Sequence, residues 1–276
     1  MRPALKAAST SQISVPVPAE HREGAASLFR VYARWFDVVA ADTPERLAEA
    51  YRLRYQVYCV ENAYEDAAAH PDGLETDEYD SHSVHSLLIH RPTGMVAGTV
   101  RLILPDGSGS VAALPVSKVC TAPVLHDPAV FPPARTAEIS RFAVSKAFRR
   151  RITDGSHPDL EFGNGRLDAR AAGERRILTP NITLGLMKAI AEMSIRNGIT
   201  HLTAMMEPAL LRLTARLGIK FVPLGKLVEY HGTRQPCYAE VATLGFALMA
   251  TRPDAHELVS DQGRYWQQLR NILPAE

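Results

Sequence analysis

Arg54 and Arg101 each sit in an otherwise apolar element. Arg54 lies in the helix whose apolar stripe is Leu47, Tyr51, Leu53, Val57 and Tyr58, and Arg101 in the strand-like run Met95 to Leu104. An unpaired guanidinium is costly to bury, so any fold that packs these elements inward must bring each arginine an acidic partner. The supply stands close by, because between Pro44 and Asp80 there are ten acids against three bases. Asp77 and Asp80, three apart in a loop, suit the task of tying that loop to Arg54 or Arg101. They could also hold a cationic amine, or be a solvated acidic face. From Arg141 to Arg176 the balance reverses to nine bases against five acids, with the run Arg149, Arg150, Arg151. That block is too short, and too poor in interleaved aromatics, for nucleic acid.

With 276 residues, 46% hydrophobic and 22% charged, the chain has the means for a sizeable core, and a wholly disordered or collagen-like class is excluded. Its longest uncharged apolar stretch, Val241 to Thr251, falls short of the roughly 20 residues that a spanning helix needs. Arg2 and Lys6 are followed by a Ser/Thr/Pro mixture rather than an apolar run, so a cytoplasmic location is expected. Cys59, Cys120 and Cys237 are too scattered for a disulfide framework or a zinc site and read as buried small hydrophobes. His82 and His85 have no third ligand nearby, so no metal is expected.

Residues 1–24 read as a flexible arm, and 25–276 as one folded domain with a helical tail. Leu28, Tyr32 and Trp35 stripe a short helix, and Phe36 to Ala41 follows as a strand. Thr43-Pro44 opens a helix that should end near Asn62. An acidic loop from Tyr64 to Asp80 leads to strands Val84 to His90 and Met95 to Leu104, joined at Pro92-Thr93-Gly94. After a proline-rich excursion comes a strand from Ala137 to Val144, on which Glu138 and Ser140 should face one way and Ile139 and Arg141 the other. Pro180-Asn181 starts an amphipathic helix through Arg196, with Asn197-Gly198 as its end. Ile199 to Met206 is a strand, Pro208 to Leu217 a helix, and Phe221 to Tyr230 a strand or a pair. From Tyr238 onward the tail should be mostly helical. Strands in sequence followed by strand, helix and strand make an α/β layer fold around a mixed sheet. Met187, Met193, Met205 and Met206 suit the core, or the lining of an acyl tunnel.

Three segments stand out because their residue types are expensive to keep together without a purpose: Arg54 to Glu61, Glu75 to Asp80, and Gly98 to Leu102 coupled to Glu138 to Phe142. The chain carries, in order, the motifs RLRYQVYCVEN, ETDEYDSHSVHSLL, EISRFAV and HGTRQPCYAE. Over roughly residues 35–260 they resemble the branch of GNAT-like acyltransferases that holds acyl-homoserine-lactone synthases and N-acyl amino acid synthases. They are most similar to acyltransferases associated with the PEP-CTERM/exosortase system. The joint occurrence of four ordered motifs is specific where any single one would be weak.

The resemblance implies a GNAT-like fold, a mixed central sheet with helices on both faces, in which an acyl thioester lies where two neighbouring parallel strands splay apart. It carries the family signature onto Arg54, Tyr58, Asp77, Asp80, Arg101, Glu138 and Arg141, with Tyr64 where the family has Trp. Glu138, Arg101 and Arg141 are the candidate catalytic residues. Arg54, Tyr58, Tyr64, Asp77, Asp80, Ser140 and Phe142 are the candidates for substrate binding. Tyr64 for Trp, and Tyr58 for the favoured Phe, point away from an S-adenosylmethionine pocket. Amide formation needs a base to take the proton of an ammonium, and Glu138 is the candidate, either directly or through water. It could instead be an ion-pair partner of Arg101 or Arg141. The expected donor is an acyl carrier protein, whose acidic surface Lys146, Arg149, Arg150 and Arg151 would meet, with coenzyme A as the alternative. The acceptor is a small amine such as an amino acid, and no cofactor is needed. A homoserine-lactone synthase and a non-catalytic acyl-binding module stand as alternatives.

Overall fold

A computed structural model describes residues 27–146, 148 and 169–272. The arm expected over 1–24 and the run Arg149 to Arg151 lie outside the described residues. Ser27 caps α1 (Leu28–Trp35) by accepting the Arg30 N–H, and β1 (Phe36–Ala40) follows directly. Thr43 accepts the Arg46 N–H, and Pro44 fills the first position of α2 (Pro44–Arg54). The helix then widens into a π-helical segment over Tyr55–Glu61, so the chain stays helical almost to Asn62, as its pattern predicts. Next come β2 (Ser83–His90), β3 (Met95–Ile103), a run of short 3₁₀ turns and β4 (Thr136–Val144). The second half holds α3 (Ala169–Arg196), β5 (His201–Met206), α4 (Pro208–Arg216), β6 (Val222–Pro223), β7 (Val228–Glu229) and β8 (Thr233–Glu240). It closes with α5 (Val241–Thr251), α6 (Pro253–Val259) and α7 (Arg264–Ile272).

The strands form one mixed sheet in the order β1-β2-β3-β4-β5-β8-β6, with β7 on β8. β4 and β5 run parallel, and the other recorded pairings are antiparallel. One face carries Leu88, Val100, Leu102, Ala137 and Ile139 into a core shared with α1, α3, α5 and α6. The opposite face is covered at one end by α2, through Ala50 and Leu53, and the π-helical segment, through Val57, and at the other by the 3₁₀ turns of the excursion and the residues beside them, through Val111, Leu114, Val116, Leu125 and Phe131. Helices on both faces of a mixed sheet are what the sequence leads one to expect. Cys59, Cys120 and Cys237 are buried and free. Among the described residues no helix is long and apolar enough to cross a membrane.

Three expectations need correction. α3 begins at Ala169 rather than at Pro180, because the strong helix formers upstream of the proline continue the helix. Phe221 to Tyr230 holds only the two-residue β6 and β7, and the full strand is β8, so the helical tail starts at Val241 rather than at Tyr238. The third concerns β4, where the face alternation breaks. Arg101 pairs with Ser140 but Thr99 with Ala143, a bulge, and Arg141 takes φ 49°. The bulge turns Arg141 onto the face of Glu138 and Ser140, away from Ile139, and it returns Ala143 to that same face beneath Leu53 and Val57.

The seating of α3 depends on Gly185, where an added methyl would land on the Tyr32 hydroxyl and within 2.9 Å of Leu88 Cδ1. Tyr32 is 3% exposed, and its hydroxyl has no hydrogen-bond partner among the described residues. Gly185→Ala is therefore expected to lower stability by about 1–3 kcal/mol through overpacking. Tyr32→Phe, which removes the struck oxygen, should be nearly neutral alone and recover at least half of that loss in the double variant, as measured by urea denaturation.

Candidate active site

The hydrogen-bonded register of β4 with β5 sets the site. The parallel ladder of β4 and β5 runs from Thr136–His201 to Ile139–Ala204 and then stops. Beyond it the strands part around a cleft of about 1210 Å³ including its open mouth, lined by Tyr58, Tyr64, Ser140, Arg141, Phe142, Met205, Met206 and Arg234 among others. A smaller chamber of about 620 Å³ shares Tyr58, Ile139, Ser140, Arg141, Met205 and Arg234 with the cleft and adds Asp77, Tyr79, Arg101, Pro115, Glu138 and Tyr230. Backbone groups of β4 past Ile139 lack the partners that β5 gives to the preceding residues, so the cleft offers them to an extended ligand.

The floor beside this chamber is a buried lattice of arginines and carboxylates. Arg54, 0% exposed at the end of α2, donates Nε to Glu75 at 2.5 Å and its two Nη atoms to both oxygens of Asp80 at 2.6 and 3.0 Å. Arg101, 1% exposed, holds Asp77 in the same two-pronged way at 2.5 and 2.9 Å, reaches Asp80 at 2.7 Å, and donates Nε to Ser140 Oγ at 2.8 Å. Arg141 meets Glu75, Glu65 and Asp77 at 2.8, 2.9 and 3.1 Å. Each guanidinium also lies over a tyrosine ring, Arg54 over Tyr51, Arg101 over Tyr79 and Arg141 over Tyr58. Asp77 and Asp80 close a reciprocal cap on the turn Glu78–His82, which fixes the loop that carries them. The pairing expected for Arg54 or Arg101 is thus made by both.

The charges follow from these contacts. Burial pushes Glu75 up, but Arg54 and Arg141 outweigh it and hold the carboxyl down at about 2. The same opposition, with Arg54 and Arg101 prevailing, holds Asp80 well below the usual carboxylate range. His85, 4% exposed beside them, is pushed down to about 4 by burial and by Arg54, so it is neutral at pH 7, and its 3.4 Å approach to Asp80 is not an ion pair.

Glu138 stands apart. It is 2% exposed, and its Oε2 accepts the Val116 N–H at 2.7 Å. Among the described residues it ion-pairs with neither Arg101 nor Arg141, whose donors go to the acidic loop and to Ser140. Burial raises its carboxyl to about 8, against the smaller opposing pulls of Val116 and Arg101. The ion-pair alternative therefore does not describe it.

The sequence-derived residues Arg54, Tyr58, Tyr64, Asp77, Asp80, Arg101, Glu138, Ser140, Arg141 and Phe142 all lie in the lattice or along the two cavities. Lys146 also borders the cleft, but its ammonium binds the Glu61 carbonyl and Asn62 Oδ1, both at 3.0 Å, so it fastens β4 to the π-helical segment. Glu65, Glu75, His85, Tyr230 and Arg234 were not among the candidates. The need of a third buried arginine for a carboxylate was the signal for Glu75. Arg234 sits inside the HGTRQPCYAE segment.

Asp80→Asn leaves Arg54 and Arg101 short of a buried counter-charge and is expected to cost about 3–5 kcal/mol of stability. Because the native pKa values of Glu75 and Asp80 are depressed, their stabilisation is present above pH 4.5 and lost as pH falls toward 2. Acid unfolding of the wild type should be steep in that window, and the variant's stability should change less there, as followed by circular dichroism.

Residues 53–155 match the protein-family model described as Acetyltransferase (GNAT) domain. No curated protein matches the chain in sequence. Among solved structures, a CoA-dependent acyl-homoserine lactone synthase, BjaI, with MTA aligns at TM-score 0.51 and 20% identity over 84% of this chain and 89% of that one. TofI, in a ternary complex with an inhibitor and MTA, aligns at 0.51 and 20% over 78% and 96%. FeeM, an N-acyl amino acid synthase from uncultured soil microbes, aligns at 0.44 and 13% over 77% and 94%. For BjaI and TofI, at 20% identity, the likeness is one of fold. Family match and fold agree with the parted parallel strands: the chain has the GNAT fold, and its residues 53–155 match an acetyltransferase domain of that kind.

Proposed function

We propose that the protein is an N-acyltransferase that moves a fatty acyl group from a carrier-protein thioester to the amine of an amino acid or similar small acceptor. The observation that carries this reading is Glu138, a buried carboxyl outside the arginine lattice on the wall of a chamber that opens beside the cleft between β4 and β5. The thioester lies along the unpaired edge of β4 with its acyl chain among Phe142, Met205 and Met206. The acceptor enters the chamber. An ammonium cannot attack a carbonyl, so Glu138 in its ionised form takes the proton. A carboxyl raised to about 8 takes a proton from an ammonium at a much smaller uphill cost than an ordinary carboxylate would. The freed amine then bonds to the carbonyl carbon, the carbon–sulfur bond breaks, and the thiolate leaves with a proton. Arg101 and Arg141 hold Ser140, the acidic loop and the bulge in place around this chemistry. No cofactor enters the scheme.

The carrier-protein donor is supported by the basic run Arg149 to Arg151 and by the motif resemblance to PEP-CTERM/exosortase-associated acyltransferases. Coenzyme A thioesters are the competing donor, the one named for BjaI. Thiol release measured with acyl carrier protein and acyl-coenzyme A against a pool of amino acids decides between them. The carrier reaction should slow as salt is raised, because contacts between exposed charges are screened beyond about 8 Å at physiological ionic strength. Equal rates for the two donors with no salt effect would remove the carrier protein from the scheme.

Glu138→Gln should lower kcat by about a hundredfold or more. Wild-type kcat/KM should climb with pH and level off near 8, while the variant's profile loses that step. Stability should move the other way. A raised native pKa means that the folded state loses stability as pH rises from 4.5 to about 8. Thermal melts should therefore show the variant at least as stable as the wild type at pH 8. A variant that keeps wild-type turnover would remove Glu138 from the mechanism.

A further inference from the structure

We infer that Arg234 is the anchor for an acceptor carboxylate, so that the site selects amines bearing an acid group over simple amines. The inference rests on the acyl-transfer reading above and specifies its acceptor. Four arginines line the chamber or its floor, and each lies against a tyrosine ring, Arg234 over Tyr64 at 5.3 Å. Each of the other three holds carboxylates through close, multiple bonds, at 2.5 to 3.0 Å for Arg54, 2.5 to 2.9 Å for Arg101 and 2.8 to 3.2 Å for Arg141. Arg234 does not: its Nη1 reaches the Thr233 carbonyl at 3.3 Å, and its Nη2 stands 3.4 Å from Glu207, a side chain that is 49% exposed. Arg234 itself is only 11% exposed. A largely desolvated guanidinium with loosely held donors is suited to a planar two-oxygen ligand.

Its placement suits the same ligand. Arg234 and Glu138 line one chamber, with Met205 on the wall between them. Register places Glu138 beside Thr203 and Thr203 beside Tyr238, and on β8 Arg234 lies four residues before Tyr238, on the same face. Strand spacings of about 4.8 Å and a rise of about 3.4 Å per residue put the Glu138 and Arg234 backbones roughly 17 Å apart. Two long side chains lining one chamber leave between them a gap on the scale of a small molecule with an amine at one end and an acid at the other. Gly232 keeps the Arg234 end open, since a Cβ there would come within 3.3 Å of Arg234 Nη1 and within 4.0 Å of Tyr64.

The test compares wild type, Arg234→Gln and Arg234→Lys by thiol release from octanoyl-pantetheine, which carries no phosphate. The acceptors are the common amino acids and the simple amines left when those acids lose their carboxyl group. Wild type should favour the amino acids. Arg234→Gln should raise their KM by about tenfold to a hundredfold, the loss of a charged hydrogen-bonded pair, with kcat within about threefold. Arg234→Lys should fall between the two, and KM for the amines should move far less. A melting curve checks folding, and should the Gln variant unfold, the Lys variant decides through its ratio of amino acid to amine. Unchanged KM for amino acids, or equal losses on acids and amines, overturns the inference while leaving acyl transfer intact. A KM rise confined to octanoyl-coenzyme A over octanoyl-pantetheine also overturns it, since Arg234 would then grip the donor phosphate. If wild type acylates no acceptor at all, the acyl-transfer reading falls and this inference with it.

Discussion

Three guanidinium groups brought onto one face of the sheet, with almost no water, set the terms for the rest of the molecule. Arg54 and Arg101 are sealed, and Arg141 nearly so. Removing a charge from water costs several kcal/mol unless partners surround it, so the acidic segment from Glu65 to Asp80 has no freedom to be an ordinary surface loop. It wraps inward, and the reciprocal cap of Asp77 and Asp80 rigidifies the turn whose carboxylates then meet two arginines at once. The loop, the end of α2, β3 and the bulge in β4 are tied by the same handful of bonds. A wall built that way keeps its shape while substrates come and go, which is what near-attack geometry requires.

Glu138 lies on this face without sharing that environment. Glu75 is pulled down to about 2 by two arginines, whereas Glu138, offered a backbone N–H and a more distant Arg101, is pushed up to about 8. Two carboxyls in one site are thus separated in function by their surroundings, one a permanent charge that fixes structure and the other able to exchange a proton near neutrality. The arginines make this division possible by turning their carboxylate contacts to the acidic loop. Had one of them turned to Glu138, the carboxyl would have become another structural anion.

Much of the architecture was readable in the linear order. Thr43-Pro44, Pro92-Thr93-Gly94 and Asn197-Gly198 punctuate the chain where their conformational preferences say they should, and the apolar stripe of Leu47, Leu53 and Val57 does pack on the sheet. Arg54 and Arg101 announced buried acids because charge inside an apolar element leaves few physical options. What failed to show was whatever depends on a residue's distant neighbours. Strict alternation put Arg141 on the wrong face, since a bulge is chosen by the partner strand's register and not by local propensity. Arg234 and Glu75 looked like ordinary members of polar segments until the sheet and the loop set them beside the chamber and the lattice.

The sequence by itself determined the inventory: the strand and helix periods, the turn residues, the need for carboxylates around two buried arginines, and a family resemblance that pointed at Glu138. Only the tertiary structure decided how these parts divide the work. Which acid neutralises which arginine, whether Glu138 is paired or left to hold a proton, and which arginine keeps donors to spare all depend on separations of 3 to 4 Å between groups far apart in the chain. Electrostatic energy varies steeply over that range once water is excluded, so the roles of these residues were assigned by packing.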